Sequence, residues 1–367
     1  MTNFEKWDKE FRAQNLFAFN NNKNGILWLK IRAITRKDII KRFIEENGIK
    51  IKSTTLSDQN VELFEWAETN DPDMNCINKF LLDRNNEWYV SKGVDENKLK
   101  TELIKIKSIS QGGGVDNSLD QTFVRLYVKQ ISDYQILCSH QAEIAATSWN
   151  FVQTSWYNNW TSFLIESLFK NKNYKNILPA VGETKSVDFF IDDMPFDLKV
   201  TYLPGDYLEN EFLKLKKNKP FAWLKKQAKR KGISLRDGLN DDEQYDYLIE
   251  QLELDGHNDV VTELRNTHKV IIENVQKNPI SLIEWFYLNQ SPRLFGAENR
   301  LFVVLIDSAN IAESWKMKRA FNKIEPKVDN YLKNFQKQKI QPIRFKYIKK
   351  PHQGVYQVYA DVIFVVK

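Results

Sequence analysis

Two short apolar segments between Val187 and Thr201 carry charged side chains that could bind a metal ion. They read VDFFIDDMPFDLKVT, with Asp188 in the first segment and the triplet Asp197-Leu-Lys199 in the second. Two carboxylates that lie close together repel each other unless a cation neutralises them, and hard divalent cations prefer oxygen ligands. The residue types therefore predict a site for a divalent cation beside a lysine.

Alternation of apolar residues predicts that each segment is a β-strand. The apolar faces of the two strands are Val187, Phe189 and Ile191, and Phe196, Leu198 and Val200. If the Asp-Asp-Met-Pro break is a tight turn, residues whose numbers sum to an odd value face each other across a hairpin. This register places Asp188 opposite Asp197 or Lys199, and all three polar side chains on one face. Phe190 breaks the alternation, because it falls on the polar face.

Together with an acidic residue on the preceding helix, these positions resemble the PD-(D/E)xK nuclease superfamily, which contains most type II restriction endonucleases. The helix is TSFLIESLFK, and Glu166 is its only acidic residue. The resemblance implies that Glu166, Asp188 and Asp197 hold Mg²⁺ and that Lys199 positions or activates the attacking water. Mn²⁺ is expected to substitute for Mg²⁺.

Two details of this resemblance are less regular. Val187 stands where the family signature has a proline, and Glu183 is an alternative to Glu166 as the third acidic ligand. The backbone carbonyl of Leu198 could add a further oxygen to the metal site. A hairpin whose Asp197 and Lys199 are solvated charges on an edge strand is the structural alternative.

Three functions are compatible with the sequence. The first is a Mg²⁺-dependent DNA endonuclease of restriction or phage-defence type, acting on duplex DNA, with a possible homodimer and a possible cognate methyltransferase in the same system. The second is a nuclease of the same superfamily that acts on RNA or on DNA structures in repair or defence. The third is a non-catalytic nucleic-acid-binding protein.

A basic run between Lys214 and Lys231 contains no acidic residue and begins shortly after the Asp197 triplet. Lysine and arginine supply most non-specific affinity for nucleic acid, because they neutralise phosphates. The predicted phosphate contacts are Lys214, Lys216, Lys217, Lys225, Lys226, Lys229 and Arg230. A solvated helix face is the alternative interpretation, and a second basic stretch runs from Lys333 to Lys350.

Composition favours a soluble, cytoplasmic protein that meets a polyanion. The chain has 367 residues, a net charge of +6, and 28% charged residues. It has no apolar run long enough to span a membrane, and its N-terminus lacks the profile of a signal peptide. Two cysteines and four scattered histidines do not have the spacing of a standard zinc site.

The pattern of elements predicts an α/β fold. The resemblance implies a restriction-endonuclease-like layered core, a mixed sheet flanked by helices, within residues 115–367. A helical insertion at about 207–290 interrupts this core, and the apolar run RLFVVLID at 300–307 predicts a buried central strand. Residues 1–110 are expected to form a small α+β domain with a possible role in target recognition, and the glycines at 112–114 mark the boundary. Trp149, Trp156 and Trp160 are expected to form a core stripe on a helix.

Overall fold

The computed structural model describes residues 2–34, 36–109, 123–128, 130–170, 174–180, 186–216 and 218–367. The predicted boundary at Gly112, Gly113 and Gly114 lies outside these residues, as do Glu183 and Lys217. Among the described helices, none combines the length and the apolar character that crossing a membrane requires.

The N-terminal part of the described chain is helical, and the α+β prediction for residues 1–110 is wrong in its strand content. Within 2–34 and 36–109 there is no strand. The helices are α1 (Asn3–Arg12), a 3₁₀ helix (Leu16–Phe19), α2 (Lys23–Arg32), α3 (Lys37–Glu46), α4 (Leu56–Asn70), α5 (Asn75–Lys92) and α6 (Glu96–Ile104).

The apolar stretch ILWLKIRAI at 26–34, which has the composition of a buried strand, lies mostly in helix α2. Its residues from Gly25 to Ile31 are all buried, so this helix has no polar face. A helix that is buried all round lacks the 3.6-residue alternation of an amphipathic helix, and a short apolar run then looks the same as a buried strand. The error follows from that loss of periodicity.

The chain then forms a π-helical turn (Val124–Val128) and two helices, α7 (Tyr134–Ser139) and α8 (Gln141–Lys170), before it enters a six-stranded sheet. The strands are β1 (Ile177–Pro179), β2 (Phe189–Ile191), β3 (Met194–Tyr202), β4 (Arg300–Ile306), β5 (Pro342–Tyr347) and β6 (Gly354–Val366). The strand order is β1-β2-β3-β4-β6-β5. The sheet is mixed, because β4 is parallel to β3 and β6 whereas the other neighbours are antiparallel. The α/β class is confirmed, and so is the central position of β4.

Five helices lie between β3 and its parallel neighbour β4, in the segment where the sequence predicts a helical insertion. They are α9 (Gly205–Lys216), α10 (Pro220–Arg230), α11 (Asp241–Leu254), α12 (Asn258–Lys277) and α13 (Ile280–Leu288). Short 3₁₀ helices follow at Pro292–Leu294, Ile311–Arg319 and Lys337–Lys339, and α14 (Phe321–Lys333) lies between the last two.

The two faces of the sheet pack on different helices. One face, here called the α8 face, carries Phe189, Phe196 and Leu301 and packs on α8 and α14. The opposite face, here called the site face, is covered in two separate patches. The N-terminal helices pack on Phe190 at one side, and the insertion helices pack on Phe302 at the other. Phe190, the residue that broke the strand alternation, is therefore buried under the N-terminal helices.

Two of the three tryptophans expected in the core are at the surface. Trp149 is 64% exposed and Trp156 is 37% exposed. The first half of α8 contributes little to the core, because the buried apolar residues of this helix lie almost entirely between Tyr157 and Phe169. Spacing along a helix predicts a shared face, but it does not show whether a neighbouring element covers that face.

Candidate active site

The β2–β3 hairpin has the predicted register. Phe189 pairs with Phe196 and Ile191 pairs with Met194, so paired residue numbers sum to an odd value. The turn residues Asp192 and Asp193 have φ values of 48° and 61°. Positive φ at both central positions is typical of the tight turn that matches strand twist in a two-residue hairpin.

This turn is attached to the N-terminal helices by a buried lysine. Lys30 of α2 donates hydrogen bonds to Asp193 Oδ1 at 2.7 Å and to Asn78 Oδ1 at 2.9 Å. The Lys30 side chain has no exposed surface. Its ammonium also lies 5.6 Å from the ring centre of Phe190. The hairpin is thus held in place by the N-terminal helices at its tip.

Asp188 lies at the point where the hairpin ladder ends. Its backbone N–H donates to Phe196 O at 2.8 Å. Its carboxylate oxygen Oδ2 accepts a 2.7 Å hydrogen bond from the backbone N–H of Leu198. Val187 packs in the core under the N-terminal helices, whereas Phe189 packs in the core of the α8 face. The predicted alternation of strand faces therefore does not extend to Val187. The Asp188 carboxylate nevertheless lies beside the Asp197-Leu-Lys199 triplet.

Asp197 and Lys199 extend from the site face of β3, in the strip between the two helical patches. Asp197 is only 7% exposed, whereas 46% of the Lys199 side chain is exposed. The Lys199 ammonium donates to Asp197 Oδ1 at 3.0 Å and lies 2.9 Å from Oδ2. Since β3 lies between β2 and β4, these are not solvated charges on an edge strand. The structural alternative considered for the hairpin is wrong.

Burial makes the Asp197 carboxylate easy to protonate. Desolvation raises the pKa of Asp197 to about 6, although the neighbouring Lys199 lowers it. The nearby carboxylates of Asp188 and Glu298 raise this pKa, and Arg300 lowers it. Buried Asp197 Oδ2 accepts no hydrogen bond from the described residues. Its neighbours are the Lys199 ammonium at 2.9 Å and the Arg300 Nε at 3.4 Å, and a divalent cation would compete with them for this buried oxygen.

Arg300 and Glu298 belong to the site, and sequence reasoning did not identify them. Arg300 pairs with Asp197 in the parallel β3–β4 register, and its Nε lies 3.4 Å from Asp197 Oδ2. Its Nη2 contacts Glu298 Oε2 at 2.9 Å and Gln290 Oε1 at 2.8 Å. The sequence offered one signal for these two residues. Glu298 and Arg300 are charged and stand at the start of the apolar run of β4. Their nearness to Asp197 depends on which strand is the neighbour of β3, which local sequence does not specify.

The structure does not bring Glu166 to these residues. Glu166 forms an ion pair with Lys170 one turn further along α8. Burial raises the pKa of Tyr89 on α5, and the charge of Glu166 raises it further. Helix α8 packs on the α8 face, whereas Asp197 extends from the site face. The charges that shift the pKa of Asp197 are those of Lys199, Asp188, Arg300 and Glu298, and Glu166 is not among them. The sequence correctly predicted this helix, but the Glu166 carboxylate contacts Lys170 rather than Asp188 or Asp197.

About half of the basic run from Lys214 to Lys231 is already neutralised within the protein, including Lys214 and Lys216 of the predicted phosphate contacts. Four lysines pair with acidic side chains, as Lys214–Glu211, Lys216–Glu263, Lys219–Glu209 and Lys231–Asp259. Within the described chain, Lys225, Lys226, Lys229 and Arg230 have no ion pair with a carboxylate, and all four lie on α10. Trp223 of the same helix is buried against Phe212 and is not available to stack on a base.

The donor set fits Mg²⁺ in part. Within the described residues, no group of three or more His, Cys, Asp and Glu side chains is arranged to hold a metal ion. Mg²⁺, however, keeps several waters and is often held by one or two carboxylates together with the phosphates of the substrate. Asp188 and Asp197 meet that requirement. Asp197 Oδ2 accepts no regular hydrogen bond, and a metal ion would have to replace its ion pair with Lys199 at 2.9 Å.

Comparison with protein-family models, with curated proteins and with solved structures finds no match for this chain.

Proposed function

We propose that the protein is a divalent-metal-dependent endonuclease that hydrolyses phosphodiester bonds in duplex DNA. The observation that carries the proposal is the arrangement of the β2–β3 hairpin. It brings the Asp188 carboxylate, the buried Asp197 carboxylate and the Lys199 ammonium together, and Asp197 Oδ2 has no hydrogen bond from the described residues. Carboxylates that share a buried site need a cation, and a phosphodiester substrate adds further negative charge.

The sheet is compatible with the superfamily that the motif resembles. Helix α8 precedes the meander β1-β2-β3, and the next strand of the sheet, β4, is parallel to β3. We propose that this mixed α/β sheet, with the helices that flank it, is a restriction-endonuclease-like core.

Each residue would have a separate task. Asp188 and Asp197 would hold Mg²⁺, which when bound would acidify water and neutralise charge on the phosphoryl oxygens. The Leu198 carbonyl stays a proposed further ligand. The backbone N–H of Leu198 orients the Asp188 carboxylate by donating a hydrogen bond to Asp188 Oδ2. Lys199, partly exposed and already bonded to Asp197, would donate to a phosphoryl oxygen or to the attacking water.

Positive charge on the helical insertion supports a polyanionic substrate. The unpaired cations of α10 belong to the helical insertion, whose helices cover the site face beside β3. Nucleic acid lying across the Asp197–Lys199 strip would be bordered by this insertion and by the N-terminal helices. Duplex DNA is the substrate that we propose, and RNA and single-stranded DNA are the competitors that the test must include.

The test is cleavage of supercoiled plasmid, linear duplex, single-stranded DNA and RNA with purified protein. Cleavage of duplex DNA is expected with Mg²⁺ or Mn²⁺ and not with EDTA, whereas Ca²⁺ should permit binding with little cutting. The Asp197→Ala variant, prepared in parallel, excludes a contaminating nuclease. Undiminished cutting in EDTA would contradict the metal site, and selective cutting of RNA would replace the proposed substrate.

A further inference from the structure

A buried charge network extends from Asp197 to the segment that precedes β4. Arg300 is 6% exposed and Glu298 is 9% exposed, so both charges are removed from water. Buried charges are tolerated when they are paired and hydrogen-bonded. Arg300 satisfies this condition through Nη2, which donates to Glu298 Oε2 at 2.9 Å and to Gln290 Oε1 at 2.8 Å.

Arg300 does not bond to Asp197 in the same way. Its Nε lies 3.4 Å from Asp197 Oδ2, and neither atom makes a regular hydrogen bond with the described residues. The nearer cation at Asp197 Oδ2 is the Lys199 ammonium, at 2.9 Å. An arginine beside a carboxylate ordinarily makes two parallel hydrogen bonds, because the geometry of the two groups matches. Here Nη2, which could make the second bond, is occupied by Glu298 and Gln290.

The surroundings fix the two groups that occupy Nη2. Gln290 donates to the backbone oxygens of Tyr287 and Gly296 and accepts from the Gly296 N–H. The Glu298 carboxylate lies against Gly296, where an added Cβ would be 2.0 Å from Oε1. Glycine at position 296 is therefore required for the observed position of Glu298. Arg300 itself lies 5.0 Å from the ring centre of Tyr287.

We propose that Glu298 and Gln290 are positioning residues, which keep the Arg300 guanidinium from forming a bidentate pair with Asp197, so that Asp197 Oδ2 can exchange its contact with Lys199 for a divalent cation. This inference rests on the proposed function, because the cation is the one that the nuclease would use. Arg300 then offsets the charge of Glu298 and still attracts Asp197 at longer range. Without Glu298, the guanidinium is free to form a bidentate pair with Asp197 and to compete with the metal.

The test measures Mn²⁺ affinity by electron paramagnetic resonance and calorimetry, in parallel with cleavage. Glu298→Ala is expected to weaken Mn²⁺ binding by about 10-fold or more, the size of effect typical of residues that orient metal ligands. The double variant Glu298→Ala/Arg300→Met removes the competing cation as well and is expected to restore Mn²⁺ affinity to within about threefold of the wild type. Glu273→Ala, an exposed acidic residue of α12, controls for the change in net charge.

A second variant tests the position of Glu298 without changing any charge. Gly296→Ala should displace the Glu298 carboxylate and weaken Mn²⁺ binding in the same direction. Gly205→Ala is the matched control, because an added Cβ there meets nothing within 4 Å. Thermal unfolding shows whether each variant is folded. If Glu298→Ala does not fold, Gly296→Ala provides the test.

The outcomes separate this inference from the proposed function. Unchanged Mn²⁺ affinity in Glu298→Ala and in Gly296→Ala would overturn the inference. Weak binding that persists in the Arg300→Met double variant would also overturn it, since the effect would then not act through Arg300. A wild-type protein that binds no Mn²⁺ would overturn both proposals. A wild type that binds Mn²⁺ but cuts no nucleic acid would overturn the nuclease function alone.

Discussion

Lys30, a lysine without exposed surface, donates a 2.7 Å hydrogen bond to Asp193 in the turn between β2 and β3. Burial lowers the pKa of Lys30, while the hydrogen bond and charge of Asp193 oppose that shift. The two residues connect a helix near the start of the chain to the hairpin that carries Asp188 and Asp197. The geometry of the candidate site therefore depends on the N-terminal helices.

This relationship predicts the effect of removing one charge of the pair. Asp193→Asn retains a residue type that accepts positive φ, but it removes the charge that compensates Lys30. We expect a loss of about 1–3 kcal/mol in the free energy of unfolding, measured by denaturant titration. In the Lys30→Met background, where no buried cation needs a partner, the same substitution should cost much less. Equal losses in both backgrounds would show that the ion pair is not the cause.

A second prediction follows from the burial of Asp197. Its pKa is raised from 3.8 to about 6, so the folded protein binds this proton more tightly than the unfolded chain does. Stability from this group is therefore present below about pH 4 and is lost as the pH rises through about 6. Asp197→Asn should stabilise the protein by on the order of 2 kcal/mol at about pH 7.5 and by little at about pH 4.5.

Denaturant titrations at both pH values measure this difference. Mg²⁺ should stabilise the wild type at neutral pH and should not stabilise Asp197→Asn, because a ligand that binds only the folded state raises its stability. A stabilisation that is the same at both pH values would show that the effect does not come from the titration of Asp197.

A third prediction ranks the residues in cleavage. Asp188→Ala, Asp197→Ala and Lys199→Ala should each reduce cleavage by about 100-fold or more while DNA binding is retained, since the loss lies in the transition state. Glu166→Gln should cut within about twofold of the wild type, because the Glu166 carboxylate pairs with Lys170 and not with the site. A loss in Glu166→Gln as large as in Asp188→Ala would restore Glu166 to the metal site.

A fourth prediction separates free cations from paired ones. Lys225, Lys226, Lys229 and Arg230 have no ion pair with a carboxylate in the described chain, so phosphates can replace their counterions. Replacing these four by glutamine should weaken DNA binding and flatten its salt dependence by about one unit per lost contact.

The matched control replaces the four paired lysines, Lys214, Lys216, Lys219 and Lys231, by glutamine and has the same change in net charge. Binding is measured by titration at several salt concentrations in the Asp197→Ala background, where the DNA is not cut. The control should lose less affinity than the α10 variant. Equal losses would indicate that only net charge matters, and no loss in either would place the phosphate contacts elsewhere, such as Lys333 to Lys350.

Local sequence was sufficient for the part of the site that lies within one hairpin. The period-2 pattern and the two-residue turn predicted the register of Phe189 with Phe196, and with it the nearness of Asp188 to the Asp197 triplet. The period-2 pattern did not predict the position of Val187, because the regular β2–β3 ladder ends at Phe189 and Val187 packs in the core under the N-terminal helices.

The remaining errors are in contacts that local sequence does not determine. Arg300 and Glu298 reach Asp197 through the parallel pairing of β3 with β4, two strands that are far apart in the chain. Glu166 was assigned to the site because a helix of the right type precedes the hairpin, but α8 packs on the face of the sheet opposite to Asp197, and Glu166 pairs with Lys170 one turn along the same helix. The strand content expected near the N-terminus failed because α2 is buried on all sides.

The insertion of five helices between β3 and β4 has a consequence for folding kinetics. The hairpin can form from neighbouring residues, whereas Arg300 reaches Asp197 only after the long connection between the two strands has closed. Loops of that length are slow to close, because many conformations must be given up before any contact compensates for them. We expect the contact of Arg300 with Asp197 to form late in refolding, after most helical signal has recovered, so that a partly folded chain would hold the hairpin without the charge network around it.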